Sequence, residues 1–230
     1  RTPVAAIDGV HHVRYERDAH GRVTMERYLG IDGKPVAVTS GCHGRRFEWD
    51  GRGLAVRSTC LDAHDQPASD LSGASTEETT YDLKGCRIRN RVRGLPGGDT
   101  SLDHGTDMTV DERCAVTGFT CLDAKGGRRA CAPGDPARFE TGYDHDGNAI
   151  SLKAFAADGS AMKHPDFGAV ETRWEYDTLG DRISAACFDG NGAPMVCGAF
   201  GFHRTKDTLD DVGRVVSRAF SDIHGAPPPN

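Results

Sequence analysis

Tyr143-Asp144-His145-Asp146-Gly147 (YDHDG), Tyr176-Asp177-Thr178-Leu179-Gly180 (YDTLG) and Tyr81-Asp82-Leu83-Lys84-Gly85 (YDLKG) share one pattern, and its recurrence decides the fold. Without the aromatic, the Asp-x-x-Gly tetrad also spans Asp18 to Gly21, Asp50 to Gly53 and Asp210 to Gly213, and Asp111 to Cys114 fits as a seventh copy. The closing residues 21, 53, 85, 114, 147, 180 and 213 lie 32, 32, 29, 33, 33 and 33 residues apart. A near-constant period of that size marks a supersecondary unit repeated in tandem. In each tetrad the Asp carboxylate can accept hydrogen bonds from nearby backbone N–H groups while Gly takes a positive φ, so each copy predicts a chain reversal. A second turn is expected 12 residues further on, at Gly33, Asp65, Gly97, Gly126, Gly159, Gly192 and Gly225, where Asp65 is the one departure from glycine.

Two reversals at that spacing leave about eight residues between them, a strand of roughly 26 Å. Three places after the first turn stand Thr24, Val56, Ile88, Thr117, Ile150, Ile183 and Val216, all β-branched. Seven places after it stand Tyr28, Cys60, Val92, Cys121, Ala154, Cys187 and Phe220. These define an inward face, and the intervening Arg27, Arg57, Arg89, Lys153 and Ser184 an outer face meeting water. Pro35, Pro67, Pro194 and Pro227 follow the second turn by two residues, where they exclude helix and suit an edge segment. The expectation is three short strands per unit, with an outgoing arm bending near Gly41 or Gly168. The stretches 68–80 and 94–107 are irregular, and the latter, across which the 29-residue spacing falls, is expected to be a loop or kink.

The fold class is therefore all-β: tandem β-hairpin or meander repeats, seven units of about 32 residues, stacked into an elongated solenoid-like sheet because one unit alone cannot bury its apolar face. One repeat domain is expected over 1–230, with units at approximately 11–42, 43–74, 75–103, 104–136, 137–169, 170–202 and 203–230. The YDxxG motif resembles the tandem YD repeats of RHS-type bacterial surface and toxin-delivery proteins. That resemblance covers the whole chain and implies a β-sheet shell. The longer period and added second turn do not carry closure or toxin encapsulation with them. A small seven-bladed propeller is the alternative, although about 32 residues is short for a four-stranded blade.

Composition narrows the function. The chain has 230 residues, 37% hydrophobic and 7% aromatic, with 29 glycines and a net charge of -6. Its mean hydropathy is -0.52. A thin core and an acidic balance argue against a nucleic-acid binder, and no apolar run approaches the roughly 20 residues of a membrane span. A chain opening on Arg1 rather than Met is expected to be processed or excised. The eight cysteines form no Cys-x-x-Cys zinc pattern. Cys121 with Cys131 and Cys187 with Cys197 are centred on the second-turn residues Gly126 and Gly192, so those disulfides are predicted across hairpins. Cys42 with Cys60 and Cys86 with Cys114 can also close locally, but four cysteines leave three pairings open. Disulfides imply an oxidising compartment, hence a periplasmic, secreted or cell-surface protein. Free thiols in a cytosolic protein are the alternative.

Candidate sites follow from what the repeats present. Arg87, Arg89, Arg91 and Arg93 alternate with Ile88 and Val92 and predict a basic ladder fitted to an acidic glycan or an acidic protein patch. The competing reading is neutralisation by Glu77, Glu78, Asp103 or Asp107. Trp49, Tyr81, Tyr143, Trp174 and Tyr176 offer stacking platforms, or else core between repeats. Asp144, Asp146 and Asn148 alternate oxygen ligands as a weak calcium candidate, lacking the distal Glu of an EF-hand. No cofactor is otherwise expected. Five of the ten histidines, His20, His64, His104, His145 and His224, are expected at exposed turn tips. No catalytic motif is present, and a metal-dependent hydrolase using Asp103 and His104 is a minor alternative. The sequence thus predicts a non-enzymatic extracytoplasmic binding, adhesion or assembly module. A structural subunit of a surface polymer or larger complex, self-associating through sheet edges, is the runner-up.

Overall fold

The computed structural model describes residues 9–97, 103–198 and 201–228. It is all-β, a single open antiparallel meander of fourteen strands in seven hairpins, with spatial order equal to chain order. The hairpins are β1 (His12–Arg17) with β2 (Val23–Leu29), β3 (Gly44–Trp49) with β4 (Ala55–Leu61), β5 (Thr76–Tyr81) with β6 (Arg87–Arg93), and β7 (His104–Val110) with β8 (Val116–Asp123). They continue as β9 (Arg138–Tyr143) with β10 (Ala149–Phe155), β11 (Glu171–Tyr176) with β12 (Arg182–Phe188), and β13 (Arg204–Leu209) with β14 (Val215–Ser221). One continuous strand order excludes separate propeller blades.

Each unit has two strands rather than three. In place of the expected third strand there is one bridging residue after the second turn, as in Leu29 with Pro35, Leu61 with Pro67 and Phe188 with Pro194. The single bridge recurs without proline in Leu122 with Arg128 and Phe155 with Ala161, so it belongs to the repeat rather than to the proline. The stretch 68–80 is also more regular than expected: Asp70 closes a turn of its own through the N–H groups of Ser72 and Ala74, and Thr76 begins β5. Within 94–107, residues 98–102 lie outside the described ones, and His104 already belongs to β7. It is half-buried there, not at an exposed tip.

The turns work as the tetrad demands. Asp18 Oδ1 accepts from the N–H of His20 at 2.8 Å and of Arg22 at 3.0 Å, and the same two-bond pattern recurs at Asp50, Asp82, Asp111, Asp177 and Asp210. At the two positions where glycine is replaced, the backbone stays left-handed: Asp65 has φ 63° and Cys114 φ 65°. The turn geometry is thus set by the repeat and imposed on residues that rarely adopt it.

Just after the first turn of six hairpins the register slips by one residue, and the residue passed over is Thr24, Val56, Ile88, Ile150, Ile183 or Val216. The β-branched position is therefore a β-bulge rather than a deep core position. Ile150 is 38% and Val216 61% exposed, because a bulge turns its residue away from regular packing. The outer face is also less wet than expected, since Ser184 and Glu171 on it are buried.

The chain divides into two compact units. The first comprises residues up to Thr106 with Asp123–Gly126; its buried apolar residues include Cys42, Cys60 and Leu61. The second comprises Asp107–Leu122 and the residues from Gly127 onward. Its core gathers Ala169, Cys187 and Cys197 beneath Phe167, Met195 and Phe202.

Candidate functional site

Hairpins pair internally over six residues but meet their neighbours over only three, for example Met25–Arg27 against Gly44–Arg46 and Ser151–Lys153 against Glu171–Arg173. Beyond that short ladder the bulge carbonyls need other partners. The aromatic before each tetrad supplies them. Trp49 Nε1 donates to the Val23 carbonyl at 2.9 Å, Tyr81 Oη to Ala55 at 3.1 Å, Tyr143 Oη to Val116 at 3.1 Å, and Tyr176 Oη to Ala149 at 2.9 Å. Each acceptor opens the second strand of the preceding hairpin. Arginines bind the tips together on the same plan: Arg22 Nη1 reaches the Asp50 carbonyl, Arg52 Nη1 that of Asp82, and Arg113 those of Asp144 and His145. Four of the five aromatics singled out from sequence are therefore latches between repeats. The constant offset of 26 or 27 residues from aromatic to acceptor was the available sign. Trp174 is the exception and lies in an aromatic row, 6.2 Å from the Phe167 ring.

The basic ladder is largely engaged. Arg93 pairs with Glu78 at 3.2 Å and Asp103 at 3.7 Å, and Arg91 donates to the carbonyls of Asn90 and Thr106. Glu77 accepts instead from Asn90 Nδ2. Arg87 and Arg89 remain exposed. In the calcium candidate, Asp144 spends its oxygens on the Asn148 N–H and Asn148 Nδ2, and Asp146 lies 3.0 Å from the His145 ring. Among the described residues no cluster of three His, Cys, Asp or Glu suits a metal ion.

All eight cysteines are oxidised, giving four disulfides. Cys121–Cys131 and Cys187–Cys197 pair as expected, Cys42–Cys60 is the one of the open pairings that forms, and Cys86 and Cys114 are likewise disulfide-bonded. Such bonding indicates an oxidising, extracytoplasmic environment. Among the described residues no helix is long and apolar enough to cross a membrane.

A concave feature lies on the charged face of the second unit: a trough of about 570 Å³ reaching from Asp107 to Glu171. Alternation along β8 to β11 brings Thr120, Arg138, Glu140, Ser151, Lys153 and Glu171 to it. Arg138 pairs with Glu140 at 2.8 Å and rests 4.1 Å above the Phe155 ring. Glu171 lies between Lys153 at 3.3 Å and Arg173 at 2.6 Å, its side chain 4% exposed. Burial pushes the Glu171 carboxyl up, but the bonds from Arg173 and Lys153 outweigh it and leave the group below its usual range. Gly118 and Gly142 make room for the hydroxyls that cross them: a Cβ would fall 2.2 Å from Thr109 Oγ1 and 2.5 Å from Ser151 Oγ respectively. A volume of this size falls within the ~300–1,000 Å³ of ordinary ligand sites. No single residue pattern announced the trough in the sequence, because it arises from strands whose register is set by the bulges.

No protein-family model and no curated protein matches the chain. Among solved structures, one titled "Crystal Structure of TcdB2-TccC3-Cdc42" aligns at a TM-score of 0.54 and 17% identity, covering 91% of this chain and 9% of that one. The chain shares the fold of a segment of that structure. A Photorhabdus luminescens Tc holotoxin pore aligns at a TM-score of 0.42 and 18% identity, over 94% of this chain and 11% of the other. The chain thus spans about a tenth of the length of the structures it matches.

Proposed function

We propose that this chain is a non-enzymatic, extracytoplasmic β-hairpin repeat module of the YD type, periplasmic, secreted or surface-exposed, that binds a protein partner and helps build an assembly. The trough carries this reading. Cations and carboxylates alternate across it with hydroxyls between them, which suits the mixed charges of a protein surface better than a uniformly anionic glycan or nucleic acid. The Arg ladder adds little for an acidic glycan, since Glu78 and Asp103 already face Arg93. The groups that would serve a hydrolase are also committed: Asp103 accepts from the Gly94 N–H and pairs with Arg93. The fold likeness to part of a structure naming three components supports a structural subunit of a larger complex as the second reading.

Proximity labelling of the native host compares the wild type with Thr120→Arg plus Ser151→Arg, which fills the trough. A reproducible protein neighbour lost in the filled variant is expected; identical labelling by both chains rejects the reading. Sedimentation velocity at rising concentration separates the polymer idea, which a constant monomer would exclude.

A further inference from the structure

A second hollow, of about 170 Å³, opens in the second unit beside the Cys187–Cys197 disulfide, walled by Phe167, Trp174 and Phe202. Thr172, Trp174 and Ala185 alternate with the trough residues along the strands, so the hollow belongs to the opposite face. Counting back 33 residues compares it with the unit before. Thr172 stands where the preceding unit has Phe139, and Ala185 where it has Leu152. The registers agree: Thr172 faces Cys187 as Phe139 faces Ala154, and Ala185 faces Trp174 as Leu152 faces Thr141. In the preceding unit the Phe139 ring packs between Phe119 at 6.5 Å and His164 at 5.7 Å. Relative to that one unit a ring and a branched side chain are absent here, while Trp174 stands where that unit has Thr141 and forms a wall of the hollow. The volume is right for one ring, since an apolar cavity of about 150 Å³ admits benzene.

The charges at the rim are asymmetric. Arg218 holds both oxygens of Asp207, at 2.6 and 2.7 Å, and the Asp207 side chain is 6% exposed, so that pair is self-contained. The remaining charged group lining the hollow, Arg182, is exposed and makes no ion pair among the described residues; it acts on Asp207 only through space. A hollow with apolar walls and one guanidinium outside any ion pair selects an apolar anion.

We propose that this hollow is a binding site for a phenyl-sized ring bearing a carboxylate, the ring held among Phe167, Trp174 and Phe202 and the carboxylate on Arg182. A free arylcarboxylic acid and the C-terminal aromatic residue of a protein carry the same chemistry. The site is independent of the trough and would stand if the trough bound nothing.

The test is ligand-observed NMR on the intact, disulfide-bonded chain, with Trp174 fluorescence in a Trp49→Phe background as second readout. 3-Phenylpropionate should bind saturably, with Kd on the order of 1 mM. Its alcohol analogue 3-phenylpropan-1-ol and the ringless propionate should each bind at least about ten-fold more weakly. Arg182→Gln should remove the preference for acid over alcohol, and Thr172→Phe with Ala185→Leu, which restores the residues of the preceding unit, should abolish binding of both. Tighter binding of Ala-Ala-Phe with a free C-terminus than of 3-phenylpropionate supports the site with a protein terminus as ligand; the reverse order supports it with a free acid. No saturable binding of 3-phenylpropionate, or equal acid and alcohol affinities in the wild type, overturns the proposal. Because Arg182 is exposed, its variant keeps the test decisive even if the filled variant does not fold.

Discussion

Replacing Tyr176 by Phe removes one O–H from the chain and leaves the ring in place, which isolates the latch from the packing around it. The bond lost is the 2.9 Å contact with the Ala149 carbonyl. A net contribution of about 1 kcal/mol is expected, within the roughly 0.5–1.5 kcal/mol of an intramolecular hydrogen bond, because Tyr176 is half-buried and water can reach the freed carbonyl. Tyr81→Phe and Tyr143→Phe remove equivalent bonds of 3.1 Å in other repeats. With no shared partner, the three losses should add to about 3 kcal/mol. The effect has a predicted address. The ladder beside Tyr176 joins Ser151–Lys153 to Glu171–Arg173 over three residues, whereas the hairpin of β9 and β10 pairs over six. Hydrogen exchange should therefore show about five-fold lower protection, the equivalent of about 1 kcal/mol, in the β10–β11 ladder of Tyr176→Phe. The internal β9–β10 amides should be unchanged. Unaltered protection at β10–β11, or a loss spread evenly over both ladders, would refute the view that the YD aromatic couples one repeat to the one before it.

Opening Cys187–Cys197 by Cys→Ala at both ends should cost about 3 kcal/mol from the loop entropy of its ten-residue separation, measured by urea unfolding, and reduction of the wild type should cost no less. In the preceding hairpin, of β9 and β10, which holds no cysteine, Ala154 and His164 hold the equivalent places. Met162 N–H donates to the Ala154 carbonyl at 3.0 Å as Met195 does to Cys187, and His164 N–H to Ala169 as Cys197 does to Phe202. Ala154→Cys with His164→Cys should therefore form a fifth disulfide spontaneously, visible in a non-reducing peptide map; free thiols there would contradict the equivalence. Acid should loosen the whole repeat. The carboxyls of Asp50, Asp62 and Asp111 are lowered chiefly by backbone N–H donors in their turns, those of Asp18 and Asp144 chiefly by the Arg22 and Asn148 side chains, and that of Asp207 by Arg218. A depressed folded-state value means that the stabilisation is complete above the unfolded value of about 3.9 and is lost as pH falls through the lower, folded one. Melting temperature should thus be level near neutrality and decline below about pH 4, and a decline beginning near pH 6 would point to histidines instead.

What was legible in the sequence was the turn grammar. Asp-x-x-Gly specified the reversals so tightly that Asp65 and Cys114 adopt the glycine conformation where glycine is missing. Placing cysteines symmetrically about Gly126 and Gly192 was enough to pair them, because a hairpin makes sequence symmetry a spatial one. Side-chain roles were harder, for a reason that the bulges make plain. A period of two assigns a face to every residue only while the register is unbroken, and one extra residue after the first turn breaks it. Ile183 or Val56 then looks like core by alternation and is in fact the unpaired residue of a bulge. The same bulge ends the pairing with the next hairpin and leaves a carbonyl wanting a donor, which turns Tyr81, Tyr143 and Tyr176 from apparent ligand platforms into structural groups. In a repeat protein the informative positions are consequently those that break the period rather than those that keep it. Trp174 stands where the preceding unit has Thr141 and walls a hollow, and Arg182 at its rim keeps a charge that no ion pair holds among the described residues. A latch repeated in four hairpins couples neighbouring repeats, and specificity has to come from residues that differ between hairpins.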